Sequence, residues 1–294
     1  SSTGLFTAYT HTDSWMTGVF QRSFIRQDTL RFTGFAGYAR LNLNMYGIGD
    51  DPELSDNPLK YSVKGAFLRP RMLARIQGSN WFFGGQWTYT RLTTSFEDTL
   101  DDLPPIGVDL EPQYQETLSA LGVVTQYDTR DNIWQASGGN YFELSYDRYD
   151  NAVGSDRDYG QWLTFYNQYF TLARPLVLAV RAEGTFAQGD IPFYALPTLN
   201  LRGFDSSRYR DNNVISVQAE FRWQFQRRWG ARVFAGAGKV AEQLSGLRGG
   251  RTIPAAGVGI RWLAAEKEGI NLSVDVAKGP DSSAAWYFRI GEEF

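Results

Sequence analysis

One histidine, His11, supplies all the imidazole chemistry open to this 294-residue chain, and cysteine is absent. A Ser-His or Asp-His hydrolase would have to use His11. Its setting, Thr10-His11-Thr12-Asp13-Ser14, reads as a tight turn between two strands, where a surface histidine is expected rather than a catalytic base. Without cysteine there are no thiolate metal ligands, cysteine nucleophiles or disulfides. No HExxH, calcium-loop, phosphate-loop or dinucleotide pattern occurs, and no two carboxylates stand out as a catalytic pair. The chain is therefore expected to have no enzymatic activity, no cofactor and no metal site.

What remains is charge pairing. Arg181, Glu183, Glu220, Arg222, Arg261, Asp275 and Arg289 recur on the polar sides of successive segments, an arrangement that suits ion pairs across a wet interior. The overall balance, 29 Lys and Arg against 32 Asp and Glu, gives a net charge of -3 and no basic footprint for a nucleic-acid partner.

The elements that must position these charges show a two-residue period. In Ile270-Asn271-Leu272-Ser273-Val274-Asp275-Val276 aliphatic and polar residues alternate without a break, as a strand with one dry face requires. From Val214 to Phe225, Ile215, Val217, Ala219, Phe221, Trp223 and Phe225 share one face, and Ser216, Gln218, Glu220, Arg222 and Gln224 the other. Similar alternation runs through Leu176 to Phe186, through Phe142 to Tyr146, and through Val258, Ile260 and Trp262. The stretch 29–45 changes phase around Gly34 and Gly37, which we read as a bulge or glycine kink in a curved sheet.

About fourteen segments, within a range of 12 to 16, have strand-like composition. They span 3–12, 14–24, 29–45, 60–75, 80–93, 116–127, 138–149, 158–171, 176–188, 213–226, 229–240, 253–264, 269–278 and 283–294. No apolar run reaches the roughly 20 residues that a membrane-spanning helix needs, so a membrane-spanning form must use strands. Aromatic residues make up 15% of the chain and glycine is frequent, which suits aromatic girdles on pleated strands. A soluble sandwich would also alternate, but charges recurring on the polar face of strand after strand favour a lipid-facing barrel around a polar lumen.

Connections alternate in length as such barrels require. Tight turns are expected at 77–80, 173–175, 226–228 and 265–269, and long polar connections around 46–59, 94–115, 189–212 and 241–252. The acidic stretch 97–111, with Pro104-Pro105, reads as an exposed loop. An even number of strands puts both termini in the periplasm. Nothing in the composition marks a second domain, so residues 1–294 are expected to form one barrel domain. Because no apolar signal segment opens the sequence, Ser1 reads as the start of a mature or trimmed chain.

Two motifs carry a resemblance. The chain ends Tyr287-Phe288-Arg289-Ile290-Gly291-Glu292-Glu293-Phe294, with apolar residues two apart before a terminal aromatic. This resembles the β-signal that delivers outer-membrane barrels to their assembly machinery, with Phe288, Ile290, Gly291 and Phe294 as its residues. Trp286, Phe288, Ile290 and Phe294 would face lipid, and Glu292 would sit at the periplasmic interface. The second motif, Leu201-Arg202-Gly203-Phe204, lies in the long connection before the last five strands and is similar to the (V/L)RG(F/Y) signature of the BamA/TamA assembly superfamily. Weaker similarity extends to Tyr46-Gly47-Ile48-Gly49, to Tyr127-Asp128-Thr129-Arg130-Asp131-Asn132 and to Gly257-Val258-Gly259-Ile260-Arg261.

The resemblance implies an all-β, antiparallel outer-membrane barrel with its lumen partly filled by the extracellular loop carrying Arg202, Gly203 and Phe204. It also implies that Arg202 meets the barrel wall. The family's usual partner, an aspartate in a Phe-x-Asp-x-Gly pattern, is replaced here by Gly236 in Phe234-Ala235-Gly236-Ala237-Gly238. Glu220, Asp275 and Glu183 are the candidate substitutes, with Glu220 favoured because its strand immediately follows the loop. An arginine on a lumenal loop makes charge-assisted hydrogen bonds to such carboxylates, and a glycine beside it permits close approach.

By resemblance the function is insertion or translocation of polypeptide, with a lateral seam between first and last strands near Phe294 where a client strand could add. Two features depart from the family's pattern: no POTRA modules are read ahead of the barrel, and about fourteen strands is fewer than the family's usual sixteen, so either an N-terminal part was removed or the chain belongs to a reduced branch without it. The implied partners are outer-membrane lipid and lipopolysaccharide, client polypeptides, and the assembly machinery through the β-signal. The alternatives are a passive or gated channel that kept the fold without the assembly role, and a membrane anchor that translocates an N-terminal passenger.

Overall fold

The two-residue period becomes fourteen strands in a computed structural model that describes all residues except 11, 55–56, 97–111, 174, 206, 267–268, 281–282 and 292–294. The strands are β1 (Ser2–Tyr9), β2 (Trp15–Ile25), β3 (Leu30–Met45), β4 (Leu59–Arg75), β5 (Trp81–Phe96), β6 (Gln113–Asp128), β7 (Gly139–Tyr149), β8 (Tyr159–Ala173), β9 (Leu176–Gly189), β10 (Asn213–Trp223), β11 (Trp229–Ala241), β12 (Ile253–Ala265), β13 (Ile270–Lys278) and β14 (Ala285–Ile290). They form one sheet in sequence order, each strand antiparallel to the next. Among the described residues no ladder joins β14 to β1.

Burial on this sheet is the reverse of that in a soluble protein. Val217, Phe221 and Trp223 on β10, Val233 on β11, Val258 and Ile260 on β12, and Leu272 and Val274 on β13 are exposed. The residues between them, Gln218, Glu220, Arg222, Arg232, Arg261, Ser273 and Asp275, are buried. An apolar exterior around a polar interior is the arrangement that hydrocarbon solvent selects, and the fold is an all-β transmembrane barrel. His11, whose turn was weighed as a hydrolase site, the acidic loop 97–111 and the terminal Phe294 lie outside the described residues.

Connections 26–29, 76–80, 129–138, 174–175, 224–228 and 266–269 share the end of the barrel where β1 begins and β14 ends, and the 13-residue 46–58 and 23-residue 190–212 connections lie at the other. The expected alternation of short and long is broken in three places. Connections 10–14 and 279–284 are short on the long-loop side, and 129–138 is long on the short-turn side. In the last of these, the Asn132 side chain accepts hydrogen bonds from the backbone N–H groups of Trp134 and Gln135 (2.7 and 3.0 Å), and Asp131 accepts from the Ser137 N–H (2.9 Å). These local bonds fold the segment on itself, and its Ala136 packs with Tyr169 and Ala179.

Three expectations are corrected. The ladder of β3 runs from Leu30 to Met45 against β4 with no register shift, so Gly34 and Gly37 mark no bulge. The change of phase has another cause: Phe35, like Phe24 and Leu73, lines an interior cavity beside Arg22, Arg31 and Arg71, so apolar residues occupy both faces there. Register shifts fall instead at Thr171/Ala173 and Leu263/Ala265. The segment expected as 213–226 ends at Trp223, where the Gln224 amide turns back to the Pro175 carbonyl (3.1 Å). Ile290 ends the last strand, and Gly291 follows with φ +91°.

The 190–212 connection enters the barrel. Leu199, Leu201, Phe204 and Tyr209 pack in one buried cluster with Val214 of β10, Val240 of β11 and Ile253 and Ala255 of β12. A second cluster joins Phe193 of the same connection to Met45, Leu54, Leu59 and Tyr61. The backbone of Gly49 pairs with that of Arg210, which clasps the two long connections together.

Candidate functional site

Register builds the site. Arg222 stands opposite Arg232, Arg232 opposite Gly259, Gly259 opposite Asp275, and Asp275 opposite Tyr287, so one row crosses five strands. The neighbouring row runs Glu220, Phe234, Gly257, Ala277. Because strand side chains alternate, both rows present the same face to the lumen.

Arg202 descends from the connection onto these rows. Its guanidinium donates to Glu220 Oε2 at 2.7 Å and to Asp275 Oδ2 at 3.0 Å, and lies 3.3 Å from the ring centroid of Phe234. Arg222 Nε donates to the other oxygen of Glu220 (2.7 Å), and Arg232 donates to both oxygens of Asp275 (2.7 Å each) and to Ser273 Oγ (2.6 Å). Three guanidinium groups thus enclose two carboxylates, with at most 1% of any of these side chains exposed. A cation over an aromatic face gains from the ring quadrupole, and most where water is excluded. Burial makes each partner indispensable, since a lone charge left in this setting lacks both water and counter-ion.

Glycines make the room. A Cβ on Gly259 would lie 1.9 Å from Asp275 Oδ1, and one on Gly257 would lie 2.5 Å from the Phe234 ring. The bare Gly259 leaves the gap across which Arg232 reaches Asp275. Gly236 leaves space that the Leu201 side chain takes, 3.1 Å from where its Cβ would be. The loop is therefore held by Glu220 and Asp275 on neighbouring rows, and packs an apolar residue against Gly236.

Gly203 adopts φ +137°, and its N–H donates to Tyr287 Oη at 2.8 Å while its carbonyl accepts from Gly279 N–H at 2.8 Å. A side chain there would meet Gly279 N and Lys278 C at 2.8 Å, so only glycine fits. Phe204 meets Tyr209 edge-on, with centroids 5.0 Å apart. The Arg202-Gly203-Phe204 tip thereby contacts β10, β11, β13 and β14.

Of the three candidate wall carboxylates the structure brings two to Arg202. Glu183, the third, pairs with Arg181 two residues away on β9, at 2.8 Å, because residues i and i+2 share a face on one strand. Arg232, Ser273, Tyr287 and the space-making Gly257 and Gly259 were not anticipated; the only sequence signal was the Gly257-x-Gly259 spacing, which puts two side-chain-free positions on the lumen face. Phe288 and Ile290, expected as part of a β-signal, lie on the outward face and are 79% and 80% exposed. Among the described residues no group of three or more His, Cys, Asp or Glu side chains could hold a metal ion. As built, the cluster clamps a loop.

A family model for the Omp85 superfamily domain matches residues 19–294, and the chain belongs to that superfamily. It is an outer-membrane protein, as the motifs at Leu201–Phe204 and at the chain end implied. Its fold is similar to that of BamA from Haemophilus ducreyi lacking POTRA domains 1–3, with TM-score 0.63 and 15% identity over 98% of this chain and 63% of that one. It is likewise similar to CdiB from Acinetobacter baumannii, with TM-score 0.65 and 13% identity over 98% of this chain and 52% of that one. The chain thus spans between half and two thirds of the length of these solved relatives. Comparison with curated proteins finds no match.

Proposed function

We propose that this barrel inserts or translocates polypeptide at the outer membrane, with the 190–212 connection as a plug latched into the lumen through Arg202, Gly203 and Phe204. The observation that carries the reading is the latch itself, in which the loop tip engages both the ion cluster on β10 to β13 and, through Tyr287, the last strand. A latch on β14 ties the plug to the edge where a client strand would add by β-augmentation. Client polypeptides would then be the partners at that edge, and the outward row of Phe288 and Ile290 would serve the chain's own delivery to the assembly machinery. The test is insertion of an unfolded barrel client into liposomes containing the protein. Acceleration over empty liposomes is expected, and a rate equal to that of empty liposomes sinks the proposal.

A second reading, a gated channel, is favoured by neighbouring interior cavities that share lining residues. Here the expected outcome is planar-bilayer conductance that rises when Arg202 is changed to Ala, and flat conductance in both proteins removes it.

A further inference from the structure

The lumen away from the latch has a different lining. Three cavities adjoin: one of about 310 Å³ near Trp134 and Gly291, a second of about 310 Å³ ringed by Arg22, Arg31, Arg69, Arg71 and Arg130, and a third of about 340 Å³ under Leu196 to Asn200. Arg22 and Arg130 belong to the first and second, and Arg69 to the second and third, so arginines stand at both junctions. Among the described residues only Asp128 and Glu143 bring carboxylates into the middle cavity.

Most of its arginines are already engaged. Arg31 donates to Asp28 (2.7 and 2.8 Å), Gln126 (2.9 Å) and Asp128 (3.0 Å), Arg130 to Asp128 (3.0 and 3.1 Å), and Arg71 to Gln86 and Glu143 (2.8 and 2.9 Å). Two are not. Among the described residues no acceptor hydrogen-bonds the Arg22 guanidinium, which rests over the Trp134 ring at 5.7 Å and has Arg130, Arg31 and Asp128 as charged neighbours, so like charges there outnumber the one carboxylate. Among the same residues Arg69 has one long contact, 3.4 Å to Asp147, and its buried Nε lacks a partner. Guanidinium groups beside like charge, with donors to spare, leave a site that an anion completes.

We propose that the cavity between Arg22 and Arg69 binds a small oxyanion, a phosphate or a carboxylate, entering from the end of the barrel where Trp134 and Gly291 line the first cavity. The planar fork of arginine matches both anion types in bidentate geometry, and the Trp134 ring holds the Arg22 fork toward the space. The Phe24, Phe35 and Phe165 rings that share the wall exclude water around the bound anion and strengthen its attraction. This site is separate from the latch and does not depend on client insertion or on gating.

The test uses the full chain in detergent, titrated with sodium phosphate and, in parallel, sodium acetate at constant ionic strength. The readout is the temperature at which the folded, fast-migrating gel band is lost. A saturable rise of several degrees is expected with at least one anion at about 100-fold over half-saturation. In Arg22→Gln half-saturation should move by about tenfold or more, and Arg22→Lys, which keeps the charge without the fork, should fall between. Comparing the two titrations distinguishes a tetrahedral from a planar ligand. An unsaturable response, or one undiminished in Arg22→Gln, overturns the site. If Arg22→Gln gives no folded band, the decision passes to tryptophan emission. An anion-dependent change present in the wild type and lost in Trp134→Phe supports the site, and a change retained in Trp134→Phe overturns it.

Discussion

On one side of the lumen Arg202, Arg222 and Arg232 close on Glu220 and Asp275, and no side chain of the five is more than 1% exposed. On the other, Arg31, Arg71 and Arg69 face a cavity with 15%, 18% and 39% of their side chains exposed. The residue types are alike and the outcome differs. In the first region glycines at 257 and 259 clear the wall, so guanidinium and carboxylate meet across a strand that contributes no side chain. In the second, Phe24, Phe35, Leu73 and Phe165 occupy wall positions where further carboxylates could have stood, and the arginines keep open space in front of them. Register and side-chain volume, more than charge, decide whether an arginine becomes part of a clamp or lines a cavity.

The comparison breaks most readily at Glu220. Glu220→Gln removes the charge that Arg202 and Arg222 bond and that Arg232 faces at 3.6 Å, leaving buried guanidinium groups short of counter-charge. A loss of about 3–5 kcal/mol is expected, read as a fall in the temperature at which the folded gel band disappears. Arg71→Gln, in the more open region, should cost clearly less; equal losses would refute the distinction between the regions.

Gly259→Ala comes next. The added methyl would overlap Asp275 Oδ1 and force the Arg232 contact apart, for an expected cost of about 1–3 kcal/mol by the same assay. Gly85→Ala is the control, since its Cβ would meet only the Gly122 carbonyl at 3.4 Å. If both substitutions are equally tolerated, Gly259 is not what clears the wall.

The smallest effect lies at the turn end of the cavity region. Burial pushes the Asp28 carboxyl up, but hydrogen bonds and charge from Arg31 and Arg75 outweigh it and hold the group below its ordinary range. A depressed folded pKa contributes stability above the unfolded value, about 3.9, and that contribution is lost as pH falls through the lower folded one. The wild type should exceed Asp28→Asn by under about 1 kcal/mol near neutrality, since the site is partly exposed, and the gap should close in acid. A gap that persists below pH 3 would show that the aspartate acts through something other than its charge.

Much of the fold was legible because the strand period is two and lipid demands an apolar outer face, so 176–188 and 229–240 could be marked to within a residue of β9 and β11. Phe35 misled for the same reason: on an interior wall that tolerates aromatic rings, an apolar residue does not report the lipid side. Glu220 and Asp275 could be nominated because each is an acid on the polar side of a clean alternation. Arg232 was passed over because its strand reads as glycine and alanine around scattered larger residues, with weak contrast between faces.

The sequence by itself determined the two-sided character of the strands, their number, the loop that carries Arg202-Gly203-Phe204, and the outward row at the chain end, since each is a local pattern of size and polarity. Only the tertiary structure decided that Arg222, Arg232, Gly259, Asp275 and Tyr287 share one row, that Glu183 turns to Arg181, and that among the described residues no acceptor hydrogen-bonds the Arg22 guanidinium in the cavity it lines. Those are matters of register between strands and of how far a loop descends into the lumen. Both depend on many distant contacts at once, and a shift of one residue would have sent every side chain of a strand to the opposite face.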